Sequence, residues 1–156
     1  MRNQKPKFDV WRLAQLSSAL HIFQIIGSLS ILGLISTVSL NFPPTYASFI
    51  ICFFSSTLSA IFLVSEVCGL TKVREFSDEW VFWESTYISS FTFFYSINTI
   101  TVLYSSIRWN HTNFWFASIV SILVAISFYV SLTQIARKNL ENLKRSEIPK
   151  IVLRRN

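Results

Sequence analysis

The sequence predicts an all-α membrane protein, an antiparallel four-transmembrane-helix bundle with both termini in the cytosol. Three observations predict it: four long apolar runs, a low content of charged residues and a one-sided distribution of basic residues. Only 14% of the 156 residues are charged and the mean hydropathy is +0.45, whereas about a quarter of the residues in a typical soluble domain are charged. We therefore expect an integral, multi-pass protein whose first partner is the lipid bilayer.

The apolar runs give the positions of the four predicted helices. They lie at about 18–40, 47–70, 81–103 and 114–135, and a helix needs ~20 residues to cross the hydrocarbon core. Continuous apolar runs of this length indicate helices, because strands of a membrane barrel are shorter and alternate in polarity. The transmembrane domain 18–135 is thus flanked by a basic segment at 1–17 and a basic tail at 136–156.

The basic residues indicate which side of the membrane each connection faces. All of the 14 Lys and Arg residues except Arg108 lie in the two terminal segments or in the central connection at 71–79. The connections at 41–46 and 104–113 are almost free of positive charge. By the positive-inside rule, both termini and the central connection are expected in the cytosol, and the other two connections outside.

Small and polar residues recur at steps of three and four in each run, and lipid-embedded helices associate through such residues. We expect these stripes to face one another and the Phe and Ile residues to face lipid. On the second helix the stripe comprises Ser48, Cys52, Ser55, Ser59, Phe62, Glu66 and Gly69. On the third helix it comprises Ser85, Ser89, Thr92, Ser96 and Thr99. Shorter sets are Ser30, Gly33 and Thr37 on the first helix and Ala117, Ser121 and Ala125 on the fourth.

Glu66 is the candidate intramembrane polar site, because it lies inside the second apolar run about one turn from its cytosolic end. A carboxylate at that depth is a candidate proton or cation site. The alternative is a helix-end carboxylate paired with Lys72 or Arg74. Glu84 has a simpler interpretation, since a negative charge in the first turn of the third helix complements the helix dipole.

Two candidate modification sites lie near the membrane surface. Asn110 begins the sequon Asn110-His111-Thr112 in the predicted outer connection, so it is a candidate for N-glycosylation; the alternative is a plain polar turn. Cys68, near the cytosolic end of the second helix, is a candidate for palmitoylation; the alternative is a small buried side chain.

The basic tail is a candidate contact for anionic lipids of the inner leaflet. We expect the fourth helix to continue to about Ser146, before Pro149 interrupts it. Each basic residue near such a surface contributes ~1 kcal/mol, although the same charges also serve to set topology. The residues concerned are Arg137, Lys138, Lys144 and Arg145.

The sequence carries no pattern that indicates catalysis. His21 and His111 lie on opposite sides of the predicted membrane, and no metal-ligand spacing, nucleophile–base pair or glycine-rich phosphate loop occurs. We therefore expect a protein that is not an enzyme, that takes no cofactor or metal, and that does not bind nucleic acid.

Several diffuse features together resemble one family of four-span proteins. They are the two cytosolic tails, the tight turn at 41–46, the charged loop at 71–78, the aromatic start of the third helix at 80–87 and the continuation of the fourth helix into a basic tail at 134–138. Over about residues 13–143 the chain resembles the MARVEL-domain tetraspans, which include MAL, plasmolipin and the chemokine-like-factor relatives.

The resemblance implies membrane organisation, vesicle traffic, membrane apposition or the escort of a partner membrane protein. It also implies a location in the plasma membrane or in endomembrane vesicles, and association with another membrane protein or with a second copy. Two alternatives stay open: a small accessory subunit of a larger channel, transporter or enzyme complex, and a small transporter acting through Glu66.

Overall fold

The computed structural model describes residues 16–37, 43–68 and 77–153, and these residues are almost entirely α-helical. The four helices are α1 (Leu16–Ser36), α2 (Pro43–Val67), α3 (Ser77–Trp109) and α4 (Thr112–Leu153). Three segments are long and apolar enough to span a membrane: Leu16–Ser36, Thr45–Val67 and Thr112–Arg137. An all-helical chain with three helices that could span a membrane is therefore confirmed for the described residues.

The predicted third span, 81–103, lies within α3, which is outside that set of three. α3 has 33 residues, or ~50 Å of helix at 1.5 Å per residue, so its length is ample for a crossing. Its apolar content is lower because Ser, Thr, Asn and Tyr residues interrupt the run between Tyr87 and Tyr104.

Several helix boundaries differ from the predicted ones. α2 begins at Pro43 and α3 at Ser77, each four residues before its predicted run. The expected outer connection at 104–113 is largely helical, and only Asn110 and His111 separate α3 from α4. The fourth helix was expected to stop before Pro149, and this expectation is wrong, since α4 continues to Leu153. A proline removes one backbone donor and crowds the carbonyl four residues before it, yet the helix runs through position 149.

Each helix lies beside two others: α1 lies beside α2 and α4, and α3 lies beside the same two helices. Side chains of α1 and α3 also meet across the interior, as Ser28 and Tyr95 do. Neighbouring helices run in opposite directions. Gln24, near the start of α1, is hydrogen-bonded to Ser59 late in α2 and to Ser131, about five turns into α4. We call the end that holds the first turns of α1 and α3 the proximal end, and the end that holds Asn110 and His111 the distal end.

Aromatic side chains fill much of the space between the helices. Tyr95 and Phe128 are fully buried with ring centroids 5.1 Å apart, and Phe62 stacks on Tyr87 at 4.9 Å. The expectation that Phe and Ile residues face lipid is therefore wrong for a substantial group. The buried members are Phe62, Phe91, Phe114, Phe128, Ile31, Ile35 and Ile88. Rings from α3 and α4 fit here because most of the buried positions on α2, such as Ser48, Ser55 and Ser59, carry small side chains.

Gly27 lets α1 and α4 approach closely. A Cβ atom built on Gly27 would overlap with Cγ2 of Val124, a fully buried residue of α4. Gly33, two turns further along α1, has open space at the same position. The two glycines thus have different roles, and the missing side chain of Gly27 sets the distance between the two helices.

Candidate functional site

A layer of buried polar side chains connects all four helices near the proximal end, and its centre is the side-chain amide of Gln24. Gln24 Oε1 lies 3.1 Å from His21 Nδ1 and accepts a hydrogen bond from Ser59 Oγ at 3.2 Å. Gln24 Nε2 donates to Ser131 Oγ at 3.3 Å. The amide of α1 therefore contacts both neighbouring helices, and it is fully buried.

Two tyrosines of α3 extend this layer across the interior. Tyr87 shares a hydrogen bond with Ser59 and donates a second, longer one to the carbonyl oxygen of Ser55. Tyr95 shares a 2.6 Å hydrogen bond with Ser28 of α1 and donates to Cys52 Sγ of α2 at 3.5 Å. Tyrosine suits these positions because its ring fills space while its hydroxyl bonds to a partner.

A second, smaller group of polar side chains lies towards the distal end. Ser48 of α2 donates to the amide oxygen of Asn98 of α3, and Asn98 Nδ2 donates to Ser121 Oγ of α4 at 3.4 Å. Thr99 shares a 2.9 Å hydrogen bond with the same serine. Buried amides at both levels thus connect helices that are distant in the chain.

The predicted stripes are buried on some helices and exposed on others. On α2 the structure buries Ser48, Cys52, Ser55, Ser59 and Phe62, leaves Glu66 half-buried, and does not describe Gly69. On α4 it buries Ala117, Ser121 and Ala125.

On α3 the expected face is displaced. Ser89 is exposed, Ser85, Ser96 and Thr99 are half-buried, and Thr92 is the only buried member of that stripe. The inward face carries Tyr87, Phe91, Tyr95 and Asn98 instead. The orientation of this helix is set by its large side chains and by Asn98. The aromatic rings fill the space between the helices, which the small serines could not fill, and the amide forms hydrogen bonds to α2 and α4.

On α1 the prediction that Ser30, Gly33 and Thr37 face another helix is wrong, because all three are exposed. The hydroxyl of Ser30 bonds to the backbone carbonyl of Ile26 within the same helix, so it needs no partner helix. The buried face of α1 comprises Ser18, His21, Gln24, Gly27, Ser28, Ile31 and Ile35.

Glu84 does not occupy the first turn of its helix, because α3 begins at Ser77. The explanation by the helix dipole is therefore wrong. The Glu84 side chain is 23% exposed, and its Oε1 lies 3.9 Å from Nε2 of the buried His21. Glu66, the acid singled out from the sequence, is half-buried in the last turn of α2.

A small cleft adjoins the His21–Glu84 pair. Its volume is about 10 Å³, which is about the space that one water molecule needs. Most of its lining is polar. The lining residues are Ser17, His21, Glu84, Ile88, Ser131, Gln134 and Ile135. Within the described ranges, no group of three or more His, Cys, Asp or Glu residues is placed to hold a metal ion.

The remaining candidate residues lie apart from this layer. Asn110 is exposed in the two-residue connection and adopts a positive φ of 47°, a conformation that asparagine tolerates better than most residues. Cys68 is a free, half-buried thiol just after α2. Arg137 is exposed on α4, whereas the side chains of Lys138, Lys144 and Arg145 lie outside the described part of the structure.

Four residues that organise the buried polar groups at the two levels were not predicted from the sequence: Gln24, Tyr87, Tyr95 and Asn98. A signal existed for two of them, because an amide inside an apolar run indicates a hydrogen bond between helices. No such signal marks the tyrosines, whose pattern is equally typical of a lipid-facing helix. No protein-family model, curated protein or solved structure matches the chain.

Proposed function

We propose that the chain crosses the membrane four times, with α3 as a crossing helix and with both termini in the cytosol. The lower apolar content of α3 is compatible with a crossing because the side chains of Tyr87, Tyr95 and Asn98 face inward and are hydrogen-bonded there. Its outer surface is mostly apolar, although Thr86, Ser89 and Ser90 are exposed on it. The exposed residues include Phe82, Phe93, Phe94, Ile97 and Ile100. The basic termini and central connection support the proposed orientation.

Within that architecture, the proposed role is non-enzymatic: organisation of membrane, or the escort of partner membrane proteins during vesicle traffic or membrane apposition. One observation carries this proposal. The inward polar groups are mostly occupied by hydrogen bonds to one another, and the interior is filled with aromatic rings, while the outer surface is broadly apolar. A protein built in this way acts through its lipid-facing surface and its basic cytosolic segments. The resemblance to the MARVEL-domain tetraspans points to the same role.

Purification in a mild detergent, followed by identification of the co-purifying proteins and lipids, tests this role. The proposal expects several membrane proteins below stoichiometric amounts, together with anionic lipid retained by the basic tail. Loss of the protein should also change the distribution of those membrane proteins among cell membranes. Unchanged distributions and no co-purifying membrane protein would contradict the proposal.

An accessory-subunit role is the second candidate, favoured by one observation on α1. Ser30 and Gly33 lie one turn apart on its exposed face, and a Cβ at Gly33 would meet nothing within 4 Å. Small residues of this kind allow another membrane helix to approach closely. One large protein recovered in stoichiometric amount would favour this role. Substituting Gly33 with Leu should then release that protein, whereas the matched change Leu29→Ile, at another exposed position of α1, should retain it.

A further inference from the structure

The cleft beside His21 lies where three helices meet at the proximal end. α1 contributes Ser17 and His21, α3 contributes Glu84 and Ile88, and α4 contributes Ser131, Gln134 and Ile135. The volume of the cleft is about 10 Å³, and a buried water molecule needs about that space together with roughly two to four polar partners. All but the two isoleucines carry a polar side chain, so the cleft meets both conditions.

The distance between His21 and Glu84 leaves room for a bridging group. Nε2 of His21 lies 3.9 Å from Oε1 of Glu84, whereas a direct hydrogen bond between nitrogen and oxygen spans ~2.7–3.2 Å. A polar pair separated by more than ~3.5 Å can be bridged by a water molecule. A water molecule placed to the side of the line between the two atoms lies ~2.8 Å from both.

Water suits this pair whichever ring nitrogen of His21 carries the hydrogen. With the hydrogen on Nε2, a water molecule accepts it and donates one of its own hydrogens to the carboxylate of Glu84. With the hydrogen on Nδ1, the water molecule donates one hydrogen to the lone pair of Nε2 and the other to the carboxylate. The bridge therefore does not depend on the position of the ring hydrogen.

We propose that the cleft is a binding site for one water molecule, which joins His21 of α1 to Glu84 of α3. A further partner comes from the hydroxyl and amide groups of α1 and α4 that line the cleft. The direct hydrogen bond between α1 and α3, from Ser28 to Tyr95, lies about two turns further towards the distal end. The water molecule thus gives these two helices a second polar connection. The proposal does not depend on the proposed cellular role.

The two levels of buried polar groups differ in their access to water. The side chain of Glu84 is 23% exposed, so water reaches the cleft from the side of this carboxylate. At the distal level, Ser48, Asn98 and Ser121 are at most 2% exposed and are hydrogen-bonded to one another. We therefore expect bound water in the proximal layer and direct hydrogen bonds at the distal level.

The test measures magnetisation transfer from water to isoleucine methyl groups in the full-length protein, held in deuterated detergent micelles. Ile88 lines the cleft and is 1% exposed, so water that reaches its methyl groups must lie in the cleft. Ile31 is the matched control, because it is fully buried away from the cleft and lies one turn from the exchangeable hydroxyl of Ser28. Ile88→Val and Ile31→Val assign the two signals.

We expect a cross-peak from water at Ile88 that is several-fold stronger than the one at Ile31, because the transfer falls steeply with distance. Glu84→Leu should reduce the cross-peak at Ile88 to the level of Ile31, since it removes a polar partner and fills part of the cleft. Glu84→Gln, whose amide still donates and accepts, should retain it. Equal cross-peaks at Ile88 and Ile31 in the unchanged protein, or an unchanged cross-peak in Glu84→Leu, would overturn the proposal.

A crystal structure of the unchanged protein supplies a second criterion if Glu84→Leu does not fold. At a resolution that shows other ordered water molecules, one water peak should lie within ~3.2 Å of both His21 and Glu84. A direct hydrogen bond between these side chains, or ordered lining residues with no peak between them, would overturn the proposal. A peak at ~2.0–2.4 Å from several oxygen ligands would indicate a bound cation and would overturn it as well.

Discussion

Replacing Gly27 with Ala should destabilise the protein, whereas the same change at Gly33 should not. The new methyl group at position 27 would overlap with Cγ2 of Val124. Val124 is fully buried, and a β-branched side chain in a helix has one strongly preferred rotamer. The overlap must therefore be relieved by moving α1 away from α4.

The size of the effect follows from two opposing contributions. Overpacking a well-filled core costs ~1–3 kcal/mol, and replacing Gly with Ala within a helix returns up to ~1 kcal/mol. The net loss of unfolding free energy for Gly27→Ala is thus up to about 2 kcal/mol. Gly33→Ala gains the helix contribution without the overlap, so its stability should be equal or slightly higher.

The assay is reversible unfolding in mixed detergent micelles, followed by far-ultraviolet circular dichroism. Adding Val124→Ala to Gly27→Ala removes the overlapping methyl groups, so the two changes should be less harmful together than their separate effects predict, by ~1 kcal/mol or more. Equal stability of Gly27→Ala and Gly33→Ala would refute the reasoning. Simple additivity of the changes at positions 27 and 124 would refute the assignment of Val124 as the obstacle.

Three further predictions concern the polar layer, the face of α3 and the sequon. Gln24→Leu should lower the unfolding free energy by ~1–3 kcal/mol in the same assay, because three buried partners lose a hydrogen bond; an unchanged value would contradict the central role of this amide. Thr92→Leu should destabilise the protein by ~1–3 kcal/mol and Ser89→Leu by less than ~0.5 kcal/mol; the reverse order would contradict the observed face of α3. Glycosidase treatment should increase gel mobility, and Asn110→Gln should migrate like the treated protein; no shift on treatment would remove the glycosylation prediction.

The inward face of α2 could be predicted from the sequence because its small residues recur at heptad spacing without competition. Ser48, Cys52, Ser55 and Ser59 all lie on the buried side. On α3 two patterns compete at almost the same spacing, one of serines and threonines and one of tyrosines and phenylalanines. Composition does not decide between them, because an aromatic ring is surrounded by apolar groups whether it faces lipid or the interior of the bundle.

The polar layer at the proximal end could not be predicted for a different reason. His21 and Gln24 acquire their partners from the other three helices, and the hydrogen bond from Gln24 to Ser131 spans 107 residues of sequence. No local spacing contains that information. One general rule does apply at both levels, since Gln24 and Asn98 are amides inside apolar runs and both are buried and hydrogen-bonded between helices.

The proposed four-span architecture is tested most directly by measuring whether α3 crosses the membrane. In a protein with Cys52 and Cys68 replaced by Ala, a single cysteine is placed at His111 or at Asn156, and intact cells are treated with a membrane-impermeant thiol reagent. Four crossings predict that the cysteine at position 111 is labelled from outside and that the one at position 156 is labelled only after permeabilisation. Three crossings, with α3 left on the cytosolic side, predict the opposite pattern, and that result would contradict the account.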